Sequence, residues 1–254
     1  GEVGMVIRAI RSTIPSIEEL QLPEVLKEII MAPRGLVLLV GSTGSGKSTS
    51  LAAMIDEINE TRSEHILTIE DPIEFLHSNK KSIINQREVG LDTKSYARAL
   101  RSAMRAAPDV LLIGEIRDRE TMESAIMLAG TGHLVLATLH ANNSAETLDR
   151  IINMFPLDQH TQIFLDLSQY LRAIIAQRLV PGKNKRRAAA VELLINTPHV
   201  QELIKKGDVL GAKEALRTSS EKGMQHFDTA LFELYKQGRI TLEDALTYAD
   251  SRTN

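Results

Sequence analysis

The chain has 254 residues, enough for one large domain or two small ones around a substantial core. Its formal net charge of −3 with 25% charged residues leaves no global basic excess for holding nucleic acid, and without cysteine it has neither a disulfide framework nor thiolate metal sites, which suits a reducing cytosol. No run of about 18 apolar residues offers a membrane span, and the first residues carry no signal-peptide pattern.

In chain order, residues 1–34 read as a strand-like piece around Val6 and Ile7 and then a helix, its start marked by Pro15 and the capping box Ser16-Ile17-Glu18-Glu19. The chain starts without Met, and this stretch is expected to be a linker carrying the remnant of a preceding domain. Pro33-Arg34-Gly35 punctuates the entry to Leu36-Val37-Leu38-Leu39-Val40, an apolar run that reads as a buried strand. Strands and helices then alternate. Ile66 to Ile69 is a strand ending in Glu70-Asp71-Pro72, Tyr96 to Ala106 a helix, and Val110 to Ile113 a strand ending at Gly114-Glu115. Glu120 to Ala129 is helical, Leu134 to Thr138 is a strand ending at His140, and Asn143 with Glu146 caps the next helix. This order predicts an α/β core over residues 35–157 with a parallel-strand-rich sheet, whose working edge is the carboxyl end of its strands.

Beyond about residue 158 the texture changes, and residues 158–254 are expected to form a mainly helical C-terminal subdomain. Ile163, Leu167, Leu171, Ile174 and Ile175 fit one helical stripe. Leu179-Val180 and Ala189 to Leu194 are spaced to pair as a hairpin around Pro181 to Lys185. Thr197-Pro198 opens a helix, Met224, Phe227, Leu231 and Leu234 stripe another, and Thr241 to Asp244 caps a third.

The chemistry concentrates in Gly41-Ser42-Thr43-Gly44-Ser45-Gly46-Lys47-Ser48, which matches G-x-x-x-x-G-K-[ST] between a strand and a helix-forming run. Glycines let successive N–H groups point inward, and the helix N-terminus adds partial positive charge, so this loop is expected to hold a nucleoside triphosphate. Lys47 then reaches the β- and γ-phosphates and Ser48 places its hydroxyl on Mg²⁺. Three strand ends carry polar residues. Glu70 is placed to orient and deprotonate the attacking water. Glu115 ends a hydrophobic strand where many phosphate-loop proteins have Asp, and its longer side chain favours holding Mg²⁺ through water. His140 falls on the same edge, able to donate to a γ-phosphate oxygen, whereas His133 and Asp109 fall at the far edge. The histidine spacings match no zinc pattern.

Taken together these elements resemble the type IV pilus retraction ATPases, within the class of secretion ATPases. Gly41 to Thr49 is similar to the Walker A box, Ile69 to Glu74 to the Asp box, Leu112 to Asp118 to the Walker B box, and Thr131 to His140 to the His box. Gln86 to Gly90 and Asp149 to Ile152 also resemble stretches of that family. The resemblance implies a RecA-like P-loop NTPase core, a Mg²⁺-dependent ATPase in a homo-oligomeric ring, usually a hexamer, and a PAS-like N-terminal domain upstream. It implies a cytoplasmic position at the inner-membrane face of the pilus machine, against its platform protein, and a role in pilus retraction and twitching motility. It also implies Glu70 as catalytic carboxylate, Glu115 as the Walker B glutamate, and arginines at the phosphates, for which Arg8, Arg11, Arg87 and Arg101 are candidates.

One departure bears on the branch. After Thr197-Pro198 the chain reads His199-Val200-Gln201-Glu202-Leu203, without the Arg-Asn pair of the principal retraction motors. With Gly223 to Asp228 this resembles the accessory, PilU-type paralogue, so a paralogous retraction ATPase is an expected partner. The alternative is an ATP-binding accessory subunit with little turnover of its own. A DNA translocase on the same core ranks last, because the cluster Lys183, Lys185, Arg186 and Arg187 sits in a hairpin turn.

Overall fold

The computed structural model describes residues 4–5, 13–183, 187–219, 221 and 223–250. The expected strand at Val6 and Ile7, Arg8, Arg11, Lys185 and Arg186 lie outside the described residues.

The capping box forms as read: Ser16 N–H donates to Glu19 Oε2 at 2.9 Å and Glu19 N–H to Ser16 Oγ at 3.1 Å. It closes only a turn over residues 17–21, however, not the expected helix. Gln21 turns to φ 54°, and Pro23 disfavours helical backbone just before it, so the helix α1 (Val25–Ile30) starts afresh and is short. Then follow β1 (Gly35–Val40), α2 (Lys47–Thr61), β2 (His65–Glu70), β3 (Ile83–Glu88), α3 (Tyr96–Ala106), β4 (Val110–Ile113), α4 (Arg119–Gly130), β5 (Leu134–Leu139) and α5 (Ser144–Ile152). After them come α6 (His160–Tyr170), β6 (Leu171–Pro181), β7 (Arg187–Ile195), α7 (Pro198–Lys205), α8 (Val209–Thr218), α9 (Phe227–Lys236) and α10 (Leu242–Tyr248).

One sheet runs through them in the order β3-β2-β4-β5-β1-β6-β7, parallel except for β7. Apolar residues on its strands alternate between two cores, as a sheet covered on both faces requires. Leu36, Leu38, Val40, Leu111 and Ile113 face the helices α3 to α6, while Val37, Leu39, Val110 and Leu112 face α1 and α2. Here the helical stripe through Leu171, Ile174 and Ile175 is corrected. α6 stops at Tyr170, and Leu171–Pro181 is a strand paired to β1, buried on both sides. A doubly buried strand is apolar at nearly every position, so a helical spacing can be drawn through it by accident. The hairpin does form, with Val180 opposite Ala188 and Leu179 opposite Ala189, and extends the sheet by both its strands. The remaining chain, α7 to α10, is helical.

Register aligns the strand ends. Leu38, Ala137, Ile113, Ile69 and Arg87 occupy one row across β1, β5, β4, β2 and β3. Just past that row, at the carboxyl edge, come Glu70, Glu115, Gly41 and His140.

Candidate functional site

β1 delivers Gly41 to the edge, and residues 41–46 turn into α2, which starts at Lys47. Gly44 and Gly46 have φ 79° and 90°, where other residues are strained. A Cβ on Gly41 would stand 2.5 Å from both the Gln177 carbonyl oxygen and Ser45 Oγ, so the loop also lies too close to β6 for a side chain. Lys47 Nζ donates to the carbonyls of Gly41 (2.7 Å) and Ser42 (3.0 Å). Burial pushes its pKa down, against the pull of the Glu115 and Glu74 carboxylates. Ser45 Oγ is buried without a hydrogen-bond partner. A cation whose charge is disfavoured by burial, an unpartnered hydroxyl and a cradle with no room for Cβ atoms fit a phosphate chain. Ser42 and Thr43 are exposed at the loop tip, and Ser48 and Thr49 are half-buried in the first turn of α2.

At the end of β2, Glu70 Oε1 accepts from Thr68 Oγ1 at 2.6 Å and from Gln86 Nε2 at 3.2 Å. Burial raises its pKa above the ordinary carboxylate value, and these hydrogen bonds offset only part of that. At the end of β4, Glu115 is gripped on both oxygens: Oε1 lies 2.6 Å from His140 Nε2, and Oε2 accepts from Arg117 Nε at 2.6 Å. Arg117 also approaches Asp71 at 3.8 Å. The Tyr96 hydroxyl sits behind this group, its pKa pushed up to about 12, chiefly by burial. Gly114 packs against it, since a Cβ there would stand 3.0 Å from the Tyr96 oxygen and 3.2 Å from Glu70 Cα.

The structure thus gathers Glu70, Glu115, His140 and the loop 41–49 on one edge. It does not bring all the candidate arginines there. Arg87 lies on the outer strand β3 beside Ile69, and Arg101 is 68% exposed on α3, paired to Glu120 of α4 at 2.8 Å. Asp109 and His133 stay at the opposite edge, where Asp109 accepts from the His65 N–H and the His133 ring meets the Leu128 carbonyl. Among the described residues no three His, Asp or Glu cluster as a metal site. Sequence reasoning did not single out Arg117, Gln86 or Glu192. Arg117 was legible from its place two residues past Glu115, whereas Gln86 acts across a strand pair that has no sequence signal. Glu192 of β7 is 5% exposed and accepts from Ser144 N–H and Oγ, both at 2.7 Å, anchoring the first turn of α5 just after His140.

Beside Gly46, Thr49 and Ser50 opens a cavity of about 600 Å³ bounded by Leu20, Leu22, Leu179, Lys183, Arg187 and Arg239. Arg187 Nη1 reaches back to the Gly44 carbonyl at 3.4 Å. Burial lowers the pKa of Arg239.

The family described as "Type II/IV secretion system protein" matches residues 4–247. The chain is 56% identical to "Type IV pilus ATPase PilU" of Pseudomonas aeruginosa over 98% of its length and 65% of that protein's. It is 46% identical to "Type IV pilus retractation ATPase PilT" of the same organism, covering 95% of this chain and 70% of the relative. Among solved structures, "Crystal Structure of the Pilus Retraction Motor PilT and Bound ADP" superposes with a TM-score of 0.90 at 47% identity, over 96% of this chain and 69% of that one. The chain therefore spans about two thirds of the length of these relatives. With the RecA-like sheet order and the loop, Glu70, Glu115 and His140 on one edge, it belongs to the type II/IV secretion system protein family, in the branch that holds PilU and PilT.

Proposed function

We propose that the chain is the hydrolytic core of a Mg²⁺-dependent ATPase that works as a ring, a hexamer, at the cytoplasmic base of the type IV pilus machine and supports pilus retraction and twitching motility. The observation that carries this reading is Glu70. It is a carboxylate on the phosphate-loop edge, fixed by Thr68 and Gln86, with a pKa raised toward that of a working general base. The backbone of residues 41–46 and Lys47 hold the phosphates, so that Nζ exchanges its carbonyl partners for phosphate oxygens. The Ser48 hydroxyl, and Glu115 through water, would hold Mg²⁺, which when bound would supply positive charge against the phosphate oxygens. Glu70 takes the proton of the attacking water, and His140 Nε2, released from Glu115, donates to the γ-phosphate. The nucleoside fills the cavity beside Thr49 and Ser50, against Leu179 and Arg239.

Arg87 and Arg101 are candidates for arginines facing a neighbouring subunit's phosphates in the ring; the other two candidates, Arg8 and Arg11, lie outside the described residues. The inner-membrane platform protein and a paralogous retraction ATPase are the partners, the latter because identity is higher to PilU than to PilT. An accessory subunit with little turnover would not need Glu70 and Glu115 kept in place, so that reading is not preferred. Phosphate release from Mg·ATP by the full-length protein, set against a Glu70→Gln variant, tests the assignment. Hydrolysis lost with binding retained supports it.

A further inference from the structure

We propose that Gln177 of β6 is a positioning residue for the phosphate loop, one that sets ATP affinity rather than the rate of hydrolysis. The proposal rests on the reading of that loop as an ATP site. β6 pairs with β1 so that Ala176 lies opposite Val40, which brings Gln177 alongside the turn at Gly41. The side chain is 2% exposed, a costly place for an amide unless both its ends are used. Both are. Nε2 donates to the Ser45 carbonyl at 2.7 Å, and Oε1 accepts from Ser50 Oγ at 2.8 Å. One amide therefore ties the loop on one side of Gly46-Lys47-Ser48-Thr49 to the helix on the other.

Two further contacts involve the same residue. Its backbone carbonyl stands 2.5 Å from where a Cβ of Gly41 would be, and its Nε2 stands 2.8 Å from where a Cβ of Gly46 would be. The first and third glycines of the loop are thus confined by Gln177 as well as by their own backbone angles. A loop with three glycines has more conformations to lose than most segments of its length. A clamp already made in the free protein removes part of that ordering cost before a ligand arrives, which appears as affinity. The clamp lies on the β6 side of β1, while Glu70, Glu115 and His140 extend from strands on the other side, so these three groups are held separately from it.

The test uses the full-length protein. ATP binding is measured by calorimetry, and steady-state hydrolysis is followed as KM against kcat, for wild type, Gln177→Leu and Ser50→Ala. Leu keeps the bulk and removes both hydrogen bonds, each worth about fivefold in an equilibrium. The expected result is a roughly tenfold to thirtyfold rise in Kd and KM for Gln177→Leu, with kcat at saturation within about twofold. Ser50→Ala leaves the bond to Ser45 in place and is expected to raise Kd only about fivefold. Wild-type affinity in Gln177→Leu, or a loss in kcat with KM unchanged, overturns the proposal. Should Gln177→Leu not fold, Ser50→Ala decides with inorganic triphosphate as the probe, which reaches the loop and leaves the cavity beside Ser50 empty: a raised Kd supports the clamp, and an unchanged Kd overturns it. A wild-type protein that binds no ATP overturns the ATP reading itself, a result distinguishable from failure of the clamp alone.

Discussion

Replacing Glu192 probes how the last strand supports the site. Its Oε1 takes two hydrogen bonds at 2.7 Å from Ser144, a residue 2% exposed in the first turn of α5. Glu192→Ala leaves the buried Ser144 N–H without its partner, at about 1–3 kcal/mol, while the hydroxyl can turn elsewhere and costs about 1 kcal/mol. The sum, about 2–4 kcal/mol, corresponds to a fall in Tm of roughly 5–15 °C for a chain of this size. Glu192→Gln keeps the acceptor and the shape and is expected to lose under about 1 kcal/mol. Because Ser144 follows His140 by one short loop, the Ala variant is also expected to lose turnover beyond its loss of folded protein. Thermal unfolding by circular dichroism, with turnover measured well below Tm, reads both effects. An Ala variant as stable as wild type, or a Gln variant that falls as far as Ala, would refute the hydrogen-bond reasoning.

Two further outcomes follow from the geometry. Glu70 acts ionised, and in the free protein burial makes it keep its proton to higher pH than the ordinary value of 4.5, so the acid limb of kcat/KM is expected above 4.5. Thr68→Ala and Gln86→Ala, which remove bonds that lower that pKa, should move the limb further up. For stability the sign is opposite: ionising this carboxylate costs the folded state, so its contribution is most favourable below 4.5 and declines as pH rises through the folded pKa. Gly46→Ala meets both a φ of 90° and Gln177 Nε2 at 2.8 Å, whereas Gly44→Ala at φ 79° meets nothing within 4 Å. Calorimetry should show the Gly46 variant binding ATP at least tenfold more weakly than the Gly44 variant, and equal losses would exclude a role for the contact.

Most of the sheet and nearly all of the site's charged residues were legible because they sit at the ends of apolar runs. A buried strand that terminates in Glu70, Glu115 or His140 announces both its element and its edge. What was not legible depends on contacts distant in the chain. β6 was misread because burial on both faces erased the alternation that marks a strand, and β3 was missed because its Asn-Gln-Arg-Glu half is polar on an outer strand. The capping box at Ser16 gave correct local hydrogen bonds and the wrong element, since Gln21 and Pro23 end the turn. Gln86, Gln177 and Glu192 act across strand pairings or against a helix, and no spacing in the chain encodes those partners.

The most direct test of the hydrolytic assignment is steady-state Mg·ATP turnover of the full-length protein beside Glu70→Gln, with ATP affinity measured in parallel. Glutamine keeps the shape and the contacts to Thr68 and Gln86 but cannot take a proton from water. The account predicts that turnover falls by at least about a hundredfold while Kd for ATP changes little. Turnover in Glu70→Gln equal to wild type would remove Glu70 from the chemistry, and negligible turnover in both with tight ATP binding would contradict the motor itself.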